Sequence, residues 1–259
     1  MARTYIVGDI GNSTIDFGLF CKDDLVEGTN ALADGIARPI ETKKVSTSET
    51  DFPDLSPWLC EDVEWRIGSV NAAASGRLTD WIREYSTRSA IQFVRHSDIS
   101  MPSSVRVREQ LGIDRLAAAF AANRLRKPLR PAVVISSGSA ITVNVISADG
   151  VFLGGMITAG MQLNFESLAS KTDQLPRVRV GESTPPMIGD DTVSAMQAGV
   201  FWFAAKGIDG VLTQLEQELA GPIDVFGTGG SFGFLLSHLE RDVRIESNLV
   251  LSGLAMASP

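Results

Sequence analysis

The chain has 259 residues, 44% hydrophobic and 21% charged, with 24 Gly and 11 Pro, a balance that excludes disordered, collagen-like and coiled-coil architectures and gives length enough for two compact lobes. Its 23 basic and 31 acidic residues leave a formal charge of −8, which repels a phosphate backbone and argues against a nucleic-acid partner. No apolar run approaches the roughly 18 residues that cross a bilayer, and Asp9 interrupts the N-terminal apolar stretch, so no signal peptide, no membrane and a cytoplasmic location are expected.

In chain order, residues 4–8 (TYIVG) form an apolar run that ends on Asp9. Gly11 and Asn12 mark a turn, and residues 14–20 (TIDFGLF) resume a strand-like pattern, so a hairpin is predicted. The polar stretch 47–57 reads as a surface loop. Ser75 precedes Leu78, Trp81, Ile82 and Tyr85 at helical spacing, and Asp114 precedes an Ala-rich helix over 115–126. Arg124, Arg126, Lys127 and Arg130 read as a helix C-terminus neutralising its own dipole.

After residues 127–131 (KPLRP) the first pattern returns. Residues 133–135 (VVI) lead into Ser136, Ser137, Gly138 and Ser139, and residues 140–146 (AITVNVI) follow. Laying Asp9 over Ser136 puts Gly11 on Gly138 and Asn12 on Ser139, so the chain reads as an internal duplication. Residues 181–186 read as a second surface loop. Asp191 precedes a stripe of Val193, Met196, Val200, Phe201 and Ala204, which Gly199, Gly207 and Gly210 are expected to interrupt. An apolar run at 223–226 reaches Gly227, Thr228, Gly229 and Gly230, then Ser231 and a helical segment through Leu235, Leu236 and Leu239. Two α/β lobes are expected, residues 1–127 and 128–259, with the active site in the cleft between them.

Cys21 and Cys60 form no CxxC pair and no zinc pattern with His96 and His238, so acid–base chemistry falls to carboxylates. Turns of Gly and small polar residues expose backbone N–H groups, and two of them facing each other can grip a polyphosphate; the alternative is a pair of ordinary hairpins. Asp9 can hold a hydrated Mg²⁺ beside such phosphates. The Gly229–Gly230 turn admits a phosphate or a flat ligand, or is a plain strand-to-helix turn. Asp114 is either a helix N-cap or a carboxylate that takes the proton of an attacking alcohol, and Arg115 either orients an anionic substrate or pairs with a neighbouring acid.

The collinear series DIGNST at 9–14, SV at 69–70, LGIDR at 111–115, SSGSAIT at 136–142, GGMITAG at 154–160, DT with AMQAG at 191–199 and GTGG at 227–230 resembles the type III pantothenate kinase family. The resemblance implies the acetate and sugar kinase/Hsp70/actin superfamily fold: two duplicated ribonuclease H-like lobes, each a mixed five-stranded sheet with helices. It implies ATP- and Mg²⁺-dependent phosphorylation of pantothenate to 4'-phosphopantothenate, the first step of coenzyme A biosynthesis, by a homodimer. Asp9, Ile10, Gly11, Asn12, Ser13, Thr14, Ile15 and Asp16 match the first phosphate loop, and Ser139 matches a second ATP contact. Asp114 matches the catalytic base. Gly112, Ile113, Asp114 and Arg115 fall in the pantothenate block, joined by Asn12, Val105 and a Thr192 that matches a residue contributed by the partner subunit.

The chain departs from the family pattern at several places. Ser136 stands where many members carry an Asp for K⁺ or NH₄⁺, so a monovalent-cation requirement is not expected. Asn144 replaces a frequent Asp, Ala159 a frequent Pro and Asp191 a frequent Asn, and Val105 takes the place of a Tyr nine residues before the catalytic Asp. These changes keep two other readings open: a non-catalytic nucleotide-binding regulator, and a kinase for another small hydroxy acid.

Overall fold

The computed structural model describes residues 4–22, 35–59, 63–181, 183–230 and 232–258; Cys60, Glu182 and Ser231 lie outside them. The chain divides into two compact units. The first holds Met1–Arg126, Gly150–Leu153 and Asn248–Pro259, and the second Lys127–Asp149 and Gly154–Ser247.

The first unit carries strands β1 (Thr4–Ile10), β2 (Thr14–Cys21), β3 (Glu41–Ser46), β4 (Glu64–Ser69) and β5 (Ala90–Phe93), with helices α1 (Ala72–Tyr85) and α2 (Ile113–Leu125). In the second lie β6 (Ala132–Ser137), β7 (Ala140–Ile146), most of β8 (Phe152–Ala159), β9 (Asp224–Thr228) and β10 (Arg244–Ile245). Its helices are α3 (Met161–Lys171), α4 (Thr192–Glu218) and α5 (Phe232–Leu236). A last helix, α6 (Leu249–Ala255), belongs to the first unit.

The strand orders are β3-β2-β1-β4-β5 and β8-β7-β6-β9-β10. Counted in chain order within its own sheet, each reads 3-2-1-4-5. In both, the first two strands pair antiparallel and the first, fourth and fifth run parallel. The two hairpins differ in one respect. The closing pair is Ile10 with Ile15 in the first and Ser137 with Ile141 in the second, so the second turn is one residue shorter.

In the first unit Ile6, Ile10, Ile15, Phe17, Trp65 and Ile67 bury one sheet face against Leu78, Trp81 and Ile82 of α1. Phe52, Leu55 and Trp58 join this core. The 47–57 stretch is therefore not simply a surface loop: a short 3-10 helix, Pro53–Trp58, carries its apolar residues inward. Helix α2 is buried all round from Leu116 to Ala122, as an Ala-rich helix covered on several sides must be. Helix α6 lies against it so closely that a Cβ on Gly253 would stand 2.0 Å from the Ala117 carbonyl oxygen. That small-residue crossing draws the C-terminal segment into the first unit, where a single second lobe over 128–259 was expected. In the second unit Val133, Ile135, Ile141, Val143 and Val145 pack on Phe201, Ala205, Ile208 and Leu212 of α4.

Three helix starts differ from expectation or sharpen it. The N-cap of α1 is Asn71, whose side chain accepts from the Ala74 N–H, and Ser75 already lies inside the helix. Helix α2 is capped by Gly112, so Asp114 is not the N-cap. Asp191 does cap α4, accepting from the Ser194 N–H at 2.7 Å, and the helix runs unbroken through Gly199, Gly207 and Gly210. The basic residues near α2 are engaged locally: Arg124 covers the Phe120 ring, Arg126 donates to Asn123 and Arg130 pairs with Asp224.

Candidate active site

Residues paired in register project from the same face of a sheet. Asp9 pairs with Asp16 on β2 and with Gly68 on β4, and Asp16 pairs with Lys44 on β3. Gly68, Asp9, Asp16 and Lys44 therefore form one row across four strands. The row lies on the face that α6 covers, because a Cβ on Gly68 would meet Leu254 at 2.6 Å.

The turn beside this row is open to a ligand. Gly11 N–H donates to the Thr14 carbonyl at 3.0 Å, while Asn12 and Ser13 are exposed. Thr47 braces it from outside, its N–H on the Ser13 carbonyl and its hydroxyl on that of Asn12.

Asp9 is half-buried as a residue, but its Oδ1 is shut off from solvent and has no hydrogen-bond partner. A buried carboxylate oxygen left bare is costly unless something binds there. Burial pushes the Asp9 carboxyl well above the usual carboxylate range, the charges of Asp114 and then Asp16 add to this, and Lys44 opposes it. Asp16 in turn holds the Lys44 ammonium at 2.9 Å.

Asp114 approaches from α2. It is the second residue of the helix, where backbone N–H groups lack intrahelical partners. Its carboxylate accepts from the Arg115 N–H and from its own. Burial raises its pKa, and those hydrogen bonds and the Arg115 charge hold the rise back. Arg115 is half-buried, and burial lowers its pKa against the opposing charge of Asp114. Gly112 leaves room for this carboxylate to fold back, since a Cβ there would lie 2.5 Å from Asp114 Oδ1.

The segment leading into this block is held by its own backbone. The Arg108 guanidinium donates to the carbonyls of Ile99, His96 and Met101, and the His96 ring nitrogen Nε2 meets the Leu111 carbonyl at 2.6 Å. Val105 sits half-buried within the segment so tied.

In the second unit the small-residue turns gather at one end of the sheet. Ser136 pairs with Thr228 across β6 and β9. Gly229 has φ +91°, and a Cβ on it would stand 2.5 Å from the Ser137 carbonyl oxygen. The Gly160 N–H donates to the Ser139 carbonyl at 3.0 Å, and a Cβ on Gly160 would reach the Gly138 oxygen at 2.1 Å. Ser139, Gly229 and Gly230 are exposed, as is Thr192 at the first position of α4. Asn144 is buried and donates to the Thr142 hydroxyl.

The first unit thus brings together Asp9 and Asp16 of the β1–β2 hairpin and Asp114 of α2, and the second sets Gly229 against Ser137 and Gly160 against Ser139. Sequence reasoning missed Lys44. Its strand, ETKKVS, is polar and lies at the sheet edge, with Val45 the one apolar residue it turns to the core, so the sequence carries little strand signal there.

The family model for type III pantothenate kinase matches residues 5–214. A type III pantothenate kinase of Rhodopirellula baltica is 35% identical over 203 residues, covering 76% of this chain and 71% of its own. Another, of Phocaeicola vulgatus, is 30% identical over 252 residues, covering 96% and 95%. Among solved structures, the activator of the 2-hydroxyisocaproyl-CoA dehydratase from Clostridium difficile with bound ADPNP is 12% identical. It covers 98% of this chain and 92% of its own, with a TM-score of 0.51, a likeness of fold. The twice-used 3-2-1-4-5 sheet agrees with that likeness and with the ribonuclease H-like, actin-like ATPase architecture. The matched stretch takes in both hairpins, the Gly112–Arg115 block and the start of α4, and by it the chain belongs to the type III pantothenate kinase family.

Proposed function

We propose that this chain transfers the terminal phosphoryl group of ATP to the primary hydroxyl of pantothenate, with Asp114 as the general base. The observation that carries the reading is the pair Asp9 and Asp114: one carboxylate at the phosphate turn and one at a helix start, close enough that the charge of Asp114 raises the pKa of Asp9. Phosphoryl transfer needs little covalent chemistry from the protein. It needs an aligned acceptor, charge compensation at the phosphates and a place for the acceptor's proton.

Asp114 supplies the last. A carboxylate is far less basic than an alkoxide, so the proton moves late, after bonding to phosphorus has acidified the hydroxyl. Burial raises the basicity of Asp114, and this narrows the gap. The fork of Arg115, next in sequence, orients the substrate carboxylate. Asn12, Ser13 and the neighbouring backbone N–H groups receive phosphate oxygens; by the family resemblance Ser139, Gly229 and Gly230 are nucleotide contacts and Thr192 a contact to substrate in the partner subunit.

Among the described residues no group of three or more His, Cys, Asp or Glu is placed to hold a metal ion. Mg²⁺ needs only one or two carboxylates and keeps most of its waters, and the bare Oδ1 of Asp9 fits it. Bound there, Mg²⁺ would neutralise phosphate charge.

A homodimer has support in the second unit. Met156 and Ile157 on β8, an edge strand, are exposed, as are Leu163 on α3, Met187 and Ile188 before α4, and Phe203 on it, the last at 85%. Exposed large apolar side chains and an open sheet edge are features that an interface between copies covers. Among the described residues no helix is long and apolar enough to cross a membrane.

Coupled detection of ADP, with pantothenate and then with related alcohols, tests the reading. Mg²⁺-dependent ADP release with pantothenate is expected. Nucleotide binding without turnover on pantothenate would favour a regulator, and turnover on a different hydroxy acid alone would favour a kinase for that acceptor.

A further inference from the structure

We propose that Lys44 is a phosphate-contacting residue of this site and that Asp16 is the positioning residue that holds it there. The inference rests on the reading above, in which ATP phosphates meet the β1–β2 turn.

The argument starts from register. Asp9, Asp16 and Lys44 stand side by side on three neighbouring strands and face the same way. An ammonium at the third place of that row is therefore delivered by backbone pairing to the surface that carries the Asp9 carboxylate. Lys44 Nζ lies 2.9 Å from Asp16 Oδ1, and its side chain is about half exposed at 49%. An ammonium has three N–H donors and no acceptor. One donor on Asp16 leaves two for an incoming oxygen, without any need to break the pair.

Charge supplies the second step. Asp9, Asp16 and Asp114 already raise the local negative potential, as the effect of both partners on Asp9 shows. A polyphosphate entering such a place is repelled unless cations meet it, and Lys44 is a cation whose charge reaches Asp9. Its strand is the edge of the sheet, and Lys44 lies on the side opposite Val45, the residue that packs on the core. An exposed pair of this kind contributes little to folding, so its removal reports on the site and not on stability.

The alternative role is simple neutralisation of Asp16, and a variant cycle separates the two. Wild type, Lys44→Met, Lys44→Arg, Asp16→Asn and the double variant Asp16→Asn/Lys44→Met are assayed for kcat and for KM of ATP and of pantothenate, with Mg²⁺-ATP affinity measured by calorimetry. Lys44→Met is expected to lower kcat/KM for ATP by about tenfold or more, with KM for pantothenate within about twofold and the melting temperature unchanged. Lys44→Arg should recover part of the loss, and Asp16→Asn should show a smaller loss in the same direction.

The double variant decides between the roles. It stays impaired if Lys44 meets phosphate, whereas near-wild-type activity in it would reduce Lys44 to a counter-ion and overturn the proposal. Lys44→Met indistinguishable from wild type in kcat/KM for ATP would overturn it as well. Failure of the wild-type protein to turn over pantothenate with ATP is read separately and strikes the functional assignment itself.

Discussion

Gly112 and Asp114 occupy the same small volume: a Cβ on residue 112 would stand 2.5 Å from Asp114 Oδ1. The carboxylate folds back over the glycine that caps its helix. An Ala there can be accommodated only by turning the Asp114 side chain away, because the far end of a side chain yields more readily than backbone. Gly112→Ala is expected to keep the fold, with a melting temperature within a few degrees of wild type, and to lower kcat by about 10- to 100-fold through misplacement of the base. A normal kcat would show that the position of this carboxylate does not govern the reaction.

Asp114→Asn removes the proton acceptor and keeps the shape. Turnover should fall by about 10²–10⁴-fold with nucleotide binding retained. The pH profile carries the second half of this prediction. The base works ionised, and burial places its pKa above the ordinary carboxylate value of about 3.9. Activity should therefore be lost as pH falls through that raised value, and the acidic limb should vanish from the residual rate of Asp114→Asn. An unchanged acidic limb in the variant would assign it to another group.

What could be read from the sequence follows what is local. Both hairpins were legible because a β-branched run, a turn of small residues and a second apolar run are adjacent in the chain. The duplication was legible because those units are similar, and the matching sheet order bears it out. Edge strand β3 was not legible, since Val45 is the one apolar residue it turns to the core and it pairs with β2 across a long connection. Lys44 was hidden with it. The return of α6 to the first unit was hidden for a related reason: nothing near Gly253 states that its partner is Ala117, more than a hundred residues earlier. At Asp114 the residue type suggested an N-cap, but Gly112 takes that place and leaves the carboxylate for chemistry.

Asp9 sets function against stability. Its pKa is raised in the folded chain, so folding disfavours the ionised form. A raised value means stability that is full below the unfolded pKa and lost as pH rises through the folded one. At neutral pH the ligand-free protein therefore carries the cost. Asp9→Asn should raise the melting temperature of the ligand-free protein at pH 7, and abolish the further rise that Mg²⁺-ATP gives the wild type. Calorimetric scans with and without Mg²⁺-ATP measure both; a destabilised Asp9→Asn would mean that the carboxylate has a partner in the fold.

Ser136 bears on the ion requirement. It occupies the place in β6 that Asp9 occupies in β1, pairs with Thr228 on β9 and is half-buried. A hydroxyl carries no charge with which to hold K⁺ or NH₄⁺, and the neighbouring buried polar group, Asn144, is neutral as well. Replacing K⁺ by Na⁺ at constant ionic strength should change kcat/KM by less than about twofold, and Ser136→Asp should introduce a K⁺ dependence where there was none. A strong K⁺ requirement in the unaltered protein would mean that other oxygens, backbone carbonyls first among them, form the ion site without the carboxylate.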